Sequence, residues 1–148
     1  MLGLLLGPVI DKLGAKRILM GALLAYAAVF FIAGSNVSLW TVPEFTLSIA
    51  AGEALMNQAI FISFIAVHMS ICWNKVSATQ FAIYMAWANL GRSIGAEIYG
   101  SIESSLAQGE AFLIMGVLGL IGAGILTLLR LENHDTKIAE INEAELAR

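Results

Sequence analysis

Between positions 18 and 131 this chain is written in four long apolar runs, each close to or above the roughly 20 residues that a helix needs to cross a bilayer at about 1.5 Å per residue. They cover residues 18–35, a second run from around Trp40 or Pro43 to Trp73, a third from about Ala78 to Ser104, and a fourth, 111–131. Of the 148 residues, 59% are hydrophobic and only 13% are charged, where ordinary globular domains carry about 25% charged residues. The mean hydropathy is +0.82. No soluble packing hides that much apolar surface, so the chain is expected to be an all-α membrane protein with the lipid bilayer as its solvent. Pro43 suits the first turn of the second helix. Trp40 and Trp73 stand at opposite ends of that run, where interfacial aromatics gather.

The same composition removes several classes of function. A formal net charge of −3 argues for no particular partner, and the chain carries no basic stripe for nucleic acid. Cys72, the single cysteine, excludes an internal disulfide and reads as a packing residue. Among the polar residues inside the runs there is no nucleophile–base pair and no metal-ligand spacing. Hence no enzyme activity, catalytic residue, metal or cofactor is expected. Met1-Leu-Gly-Leu-Leu-Leu has no basic residue before it and no cleavage site after it, unlike a signal peptide. Residues 1–10 read instead as the last turns of a truncated transmembrane helix.

Basic residues set the expected topology. Lys12, Lys16 and Arg17 precede the first run, Lys75 lies between the second and third, and Arg130 and Lys137 follow the fourth. The connections 35–42 and 105–110 hold no Lys or Arg. Positive charge stays on the cytoplasmic side, which places 11–17, 74–77 and the tail 132–148 in the cytoplasm of a multi-pass protein of the plasma (inner) membrane. In the tail, Ile138, Ile141 and Ala144 hint at a short amphipathic helix.

Polar residues divide the four spans into two kinds. The first and fourth hold no ionisable residue in their interiors and read as lipid-facing. Gly116, Gly119 and Gly122 in the fourth lack the strand and solvated turn of a nucleotide-binding loop and read as small residues for close helix packing. The second span holds Glu53, Asn57, Gln58 and His68, and the third holds Gln80, Asn89, Arg92 and Glu97. A charge at mid-bilayer costs about 2.5–3.5 kcal/mol, so such groups normally face protein or water.

Helical spacing narrows these polar groups further. Glu53 and Asn57 share one helix face, as do Asn89 and Arg92, with Phe81, Met85 and Tyr99 on the same stripe. Glu97 lies roughly 140° round the helix from Arg92, so the two cannot face one cavity. Counted from their helix ends, Glu53 and Arg92 come level within about one turn. Two roles stay open for Arg92: contact with a substrate or coupling ion, or neutralisation of Glu53 to hold two helices together. Asn57 and Asn89 are either ligands or interhelical hydrogen-bonding groups. His68 falls near the cytoplasmic interface.

The stretch Gly7-Pro-Val-Ile-Asp-Lys-Leu-Gly-Ala-Lys-Arg17 joins one apolar run to the next. Gly7 and Gly14 suit a tight reversal and close helix contact, and Asp11, Lys12, Lys16 and Arg17 supply its charge. This pattern resembles the signature loop of the major facilitator superfamily of transporters: Gly, then Asp with Arg or Lys, then Gly, then two basic residues. Within the third span, Ala78-Thr-Gln-Phe-Ala82 and Leu90-Gly-Arg92 resemble the eleventh helix of the peptide/acetyl-coenzyme A transporter branch, which includes muropeptide permeases.

The resemblance implies that residues 1–10 end helix eight, that 11–17 is the second copy of the signature loop, and that 18–131 are helices nine to twelve. It further implies alternating access by rocking of two halves, commonly proton-driven. Asp11 would then brace a helix end in the missing N-terminal half, and a small solute such as a muropeptide would be the substrate. Glu53, Asn57, Asn89 and Arg92 are the expected substrate or proton pathway. The competing readings are a self-standing four-helix exporter that dimerises and a membrane scaffold. Small exporters of that kind depend on a carboxylate buried in their first helix, which the first full span here lacks.

Overall fold

The computed structural model describes residues 2–73, 76–103 and 105–128. Among the described residues there are five α-helices: α1 (Leu2–Leu13), α2 (Ala15–Ser35), α3 (Pro43–Ser70), α4 (Ser77–Glu103) and α5 (Gln108–Leu128). Among the described residues there is no strand. The expected tail 132–148, with Arg130, Lys137 and its amphipathic pattern, lies outside the described residues, as do Lys75 and the end of the fourth run.

Helix boundaries follow local chemistry. Gly14 separates α1 from α2 with φ 84 and ψ 137, a conformation open to glycine and strained for side-chain-bearing residues. Its N–H donates to Ile10 O at 2.8 Å, closing α1, and its own carbonyl accepts from Arg17 and Ile18, opening α2. The break between α1 and α2, within the expected loop 11–17, is therefore concentrated in one residue. Asp11 and Lys12 lie in the last turn of α1, and Lys16 and Arg17 in the first turn of α2. Gly7 lies inside α1 with open space where a Cβ would stand, so it serves neither the turn nor a close contact there.

Beyond α2, the Asn36 amide donates to Ile32 O at 2.9 Å, and a short 3-10 helix, Val37–Thr41, leads to Val42. Val42 is extended, as a residue before proline prefers, and Pro43 opens α3.

Among the described residues three helices are long and apolar enough to cross a membrane: Ala15–Ser35, Pro43–Ser70 and Gly109–Leu128. Four were expected. At 27 residues, α4 has the length, about 40 Å. Its Gln80, Asn89, Arg92 and Glu97, together with its glycines and serines, dilute its apolar content.

The packing order also differs from expectation. α2 was expected to face lipid, yet it is the centre of the bundle, with α3 and α5 packed against it. Leu19, Ala22, Ala27, Phe30, Ala33 and Gly34 of α2 are buried. A core of Leu19, Val67 and Leu126 ties α2, α3 and α5 together, with Ile60 and Phe64 against it.

Small residues let the helices approach. A Cβ on Gly34 would stand 2.8 Å from Gly109 O, and one on Gly116 would stand 3.3 Å from Ala27 O. Gly119 meets Ala27 and Tyr26 in the same way, so the glycines of the fourth run serve the α2–α5 contact. On α3, the buried stripe Ala59, Ser63 and Val67 recurs every fourth residue. By contrast, α4 makes sparse contact with α3, and most of its side chains are exposed.

A cleft between α3 and α4

The two helices richest in polar residues form the walls of a pair of adjoining clefts. One, of about 400 Å³, is lined by Glu53, Asn57, Gln58 and Phe61 of α3 and by Arg92 of α4. Its neighbour, about 470 Å³, is lined by Asn57, Phe61 and Phe64 from α3 and by Met85, Asn89 and Arg92 from α4. Asn57 and Arg92 belong to both. All four expected pathway residues, Glu53, Asn57, Asn89 and Arg92, thus border one continuous region. Residues four apart on α3 and three apart on α4 repeat on one helix face, which is why this sequence aims them there.

Polar contacts within the clefts are few. The Asn57 side-chain amide donates to Glu53 Oε1 at 3.4 Å, a long bond. Among the described residues no ion pair joins Glu53 to Arg92, although both line the same cleft. Asn89 and Arg92 are exposed and Glu53 is half-buried. The arrangement presents one cation, one anion and three amides around a space with Phe61, Phe64 and Met85 on its apolar side. Such a set suits a solute that has both charged or hydrogen-bonding groups and an apolar part. Glu97 lines neither cleft and is exposed.

The opposite face of α4 is apolar. Ile83, Trp87, Leu90, Ile94 and Ile98 recur at three- and four-residue spacing, and all are exposed, Trp87 to 69%. α4 therefore turns its polar face to the cleft and its apolar face outward, the pattern expected where lipid or another apolar surface lies outside.

At the end near the α3–α4 connection, His68 sits half-buried between Phe64 and Tyr84, with ring centroids 4.0 and 5.4 Å away. One ring nitrogen is 2.8 Å from Phe64 O. The Cys72 thiol donates to His68 O at 3.1 Å and is buried, a packing role. Gln80 accepts from the Trp73 N–H at 2.7 Å, bracing the connection rather than lining either cleft.

The charged residues of the signature stretch stand apart from the clefts. Asp11, Lys12 and Arg17 are exposed around the Gly14 turn, free of the α3–α4 face. Aromatic residues missed from the sequence stand at the other end of α3. Trp40, expected at an interface, stacks on Phe112 at 4.7 Å, and Phe30 lies 5.7 Å from Phe112. Periodicity within one helix gave no sign of this cluster, because its members come from three separate elements. Comparison of the chain with family models, with curated proteins and with solved structures returned no match.

Proposed function

We propose that this chain is the C-terminal portion of a secondary active transporter that works by alternating access, with proton-coupled uptake of a small solute such as a muropeptide as its task. Convergence of Glu53, Asn57, Asn89 and Arg92 on the α3–α4 clefts carries this reading. In a membrane protein, charged groups at depth are expensive and repay that cost where a solute or ion must pass. α2 and α5 pack tightly, while among the described residues no other helix covers the polar faces of α3 and α4, which suits a cavity completed by a second half. In this reading all of α2 to α5 cross the membrane, with the Gly14 turn and the α3–α4 connection on the cytoplasmic side. Asp11, exposed beside the turn, is placed to brace a helix of the other half.

Each residue then has a task. Arg92 attracts an anionic group of the solute, and Asn57 and Asn89 supply amide hydrogen bonds that fix its orientation. Glu53 carries the proton in the phases when Arg92 holds the solute instead. The test is uptake by the complete protein in liposomes, with an imposed pH gradient and a panel of labelled small solutes that includes muropeptides. Gradient-dependent uptake that Arg92→Ala abolishes, with membrane insertion intact, is the expected result. A genuine start with a stop codon just upstream, together with no gradient-driven uptake, overturns it in favour of a self-standing four-helix protein.

A further inference from the structure

We infer that a second cavity, on the other side of Glu53, is a binding site for a small organic cation. It has a volume of about 310 Å³, is open on one side, and is lined by Phe30 of α2, Trp40 of the 3-10 helix, Phe112 of α5, and Thr46, Ala50 and Glu53 among the α3 residues. That volume is at the lower end for small-molecule sites, so the ligand has few heavy atoms. Among the lining residues Glu53 alone is ionisable. Aromatic faces attract cations through their quadrupole, most strongly when water is excluded, and a carboxylate beside them adds the counter-charge. An anion is repelled from such a space, and a neutral guest leaves the carboxylate uncompensated.

The walls are built before any ligand arrives. Trp40 Nε1 donates to Ala33 O at 3.1 Å, and Thr46 Oγ1 donates to Trp40 O at 3.1 Å. The first bond anchors the indole to α2, and the second ties the Trp40 backbone to α3. The Trp40 ring then stacks on Phe112 at 4.7 Å with 25° between the planes, and the Phe30 ring centroid lies 5.7 Å from that of Phe112. Three rings from three elements therefore share one wall. Thr46, Ile49, Ala50 and Glu53 form a helical stripe on α3, which sets the carboxylate at the inner end of the cavity. Arg92 lines the cleft beyond Glu53 and does not line this cavity. A cation here and Arg92 thus approach the same carboxylate from two sides, and each disfavours the other.

This site is independent of the transport reading, because its test reads binding by the chain alone. The full chain is purified in uncharged detergent with Trp73→Phe and Trp87→Phe, so that Trp40 fluorescence reports. Choline chloride is titrated at constant ionic strength against sodium chloride, beside the uncharged isostere 3,3-dimethyl-1-butanol. Saturable choline binding is expected, about tenfold or more tighter than that of the alcohol. Glu53→Gln and Phe112→Leu should each weaken it about tenfold with helical content retained, and Arg92→Ala should tighten it a few-fold. Equal binding of choline and the alcohol, or unchanged choline affinity in a folded Phe112→Leu variant, overturns the proposal. Should Glu53→Gln fail to fold, the isostere comparison on the parent chain still decides the role of charge.

Discussion

Glu53 and Arg92 line one cleft from facing helices without closing an ion pair. Two opposite charges at similar depth in adjacent helices would bind directly if bracing α3 to α4 were their task, since a desolvated pair left open forfeits the Coulomb attraction that offsets its burial. Held apart, they leave room for a solute or ion between them. A double-mutant cycle of Glu53→Gln and Arg92→Gln, read by thermal unfolding in detergent, should therefore show a coupling below about 1 kcal/mol. A coupling near 3 kcal/mol would assign the pair to bracing.

Gly14 is the joint between α1 and α2, and its φ of 84 excludes an unstrained side chain. Gly14→Ala should lower stability by about 1–3 kcal/mol, seen as a lower midpoint in thermal unfolding. Gly7→Ala makes the useful contrast. Gly7 lies within a helix and has nothing within 4 Å of an added Cβ, so alanine there should be neutral or stabilising by up to about 1 kcal/mol.

Close approach of α2 to α5 makes its glycines unequal. A Cβ on Gly34 meets Gly109 O and the Leu113 side chain at 2.8 Å, and backbone on one side cannot yield. Gly34→Ala should cost about 1–3 kcal/mol as an overpacked site, while Gly124→Ala, with open space around it, should change little. Comparable losses from the two would place the α2–α5 contact elsewhere.

Ser63 is fully buried and its hydroxyl has no hydrogen-bond partner among the described residues. Its small size, not its polarity, suits the α3 stripe that packs on the core. An unsatisfied buried hydroxyl costs about 1–3 kcal/mol, so Ser63→Ala should raise stability or leave it unchanged. Ser63→Leu should destabilise through overpacking. A clear loss in Ser63→Ala would mean that the hydroxyl binds something in the membrane.

Much of this architecture was legible in sequence. The runs 18–35 and 78–104 fall within a few residues of α2 and α4. Spacing likewise put Glu53 with Asn57 and Asn89 with Arg92, since helix faces are set by local geometry. What escaped was which apolar helix sits inside. α2 is apolar all round, and such a helix fits a protein centre as well as a lipid boundary. Only its contacts with Gly52, Gly109 and Gly116 decide. The cavity of Phe30, Trp40 and Phe112 escaped for a related reason: its rings come from elements far apart in sequence. Asp11 and Lys12 were expected in a loop and lie in a helix, because Gly14 alone separates α1 from α2.

The two faces of α4 give a direct test of whether this polar helix crosses the membrane. Asn89 borders the cleft, while Ile94 belongs to the exposed apolar stripe. If α4 spans the bilayer, lipid covers the stripe and water reaches the cleft. In a Cys72→Ala background, which removes the single native thiol, Asn89→Cys should react with a small water-soluble maleimide in intact membranes. Ile94→Cys should react about tenfold more slowly or not at all, because thiolate formation requires water, and should instead quench with a lipid-phase probe. Equal, rapid labelling at both positions would place α4 outside the bilayer and leave α2, α3 and α5 as its only spans among the described residues. That result would also remove the α3–α4 clefts from the membrane, where the cost of charge gives Glu53 and Arg92 their meaning.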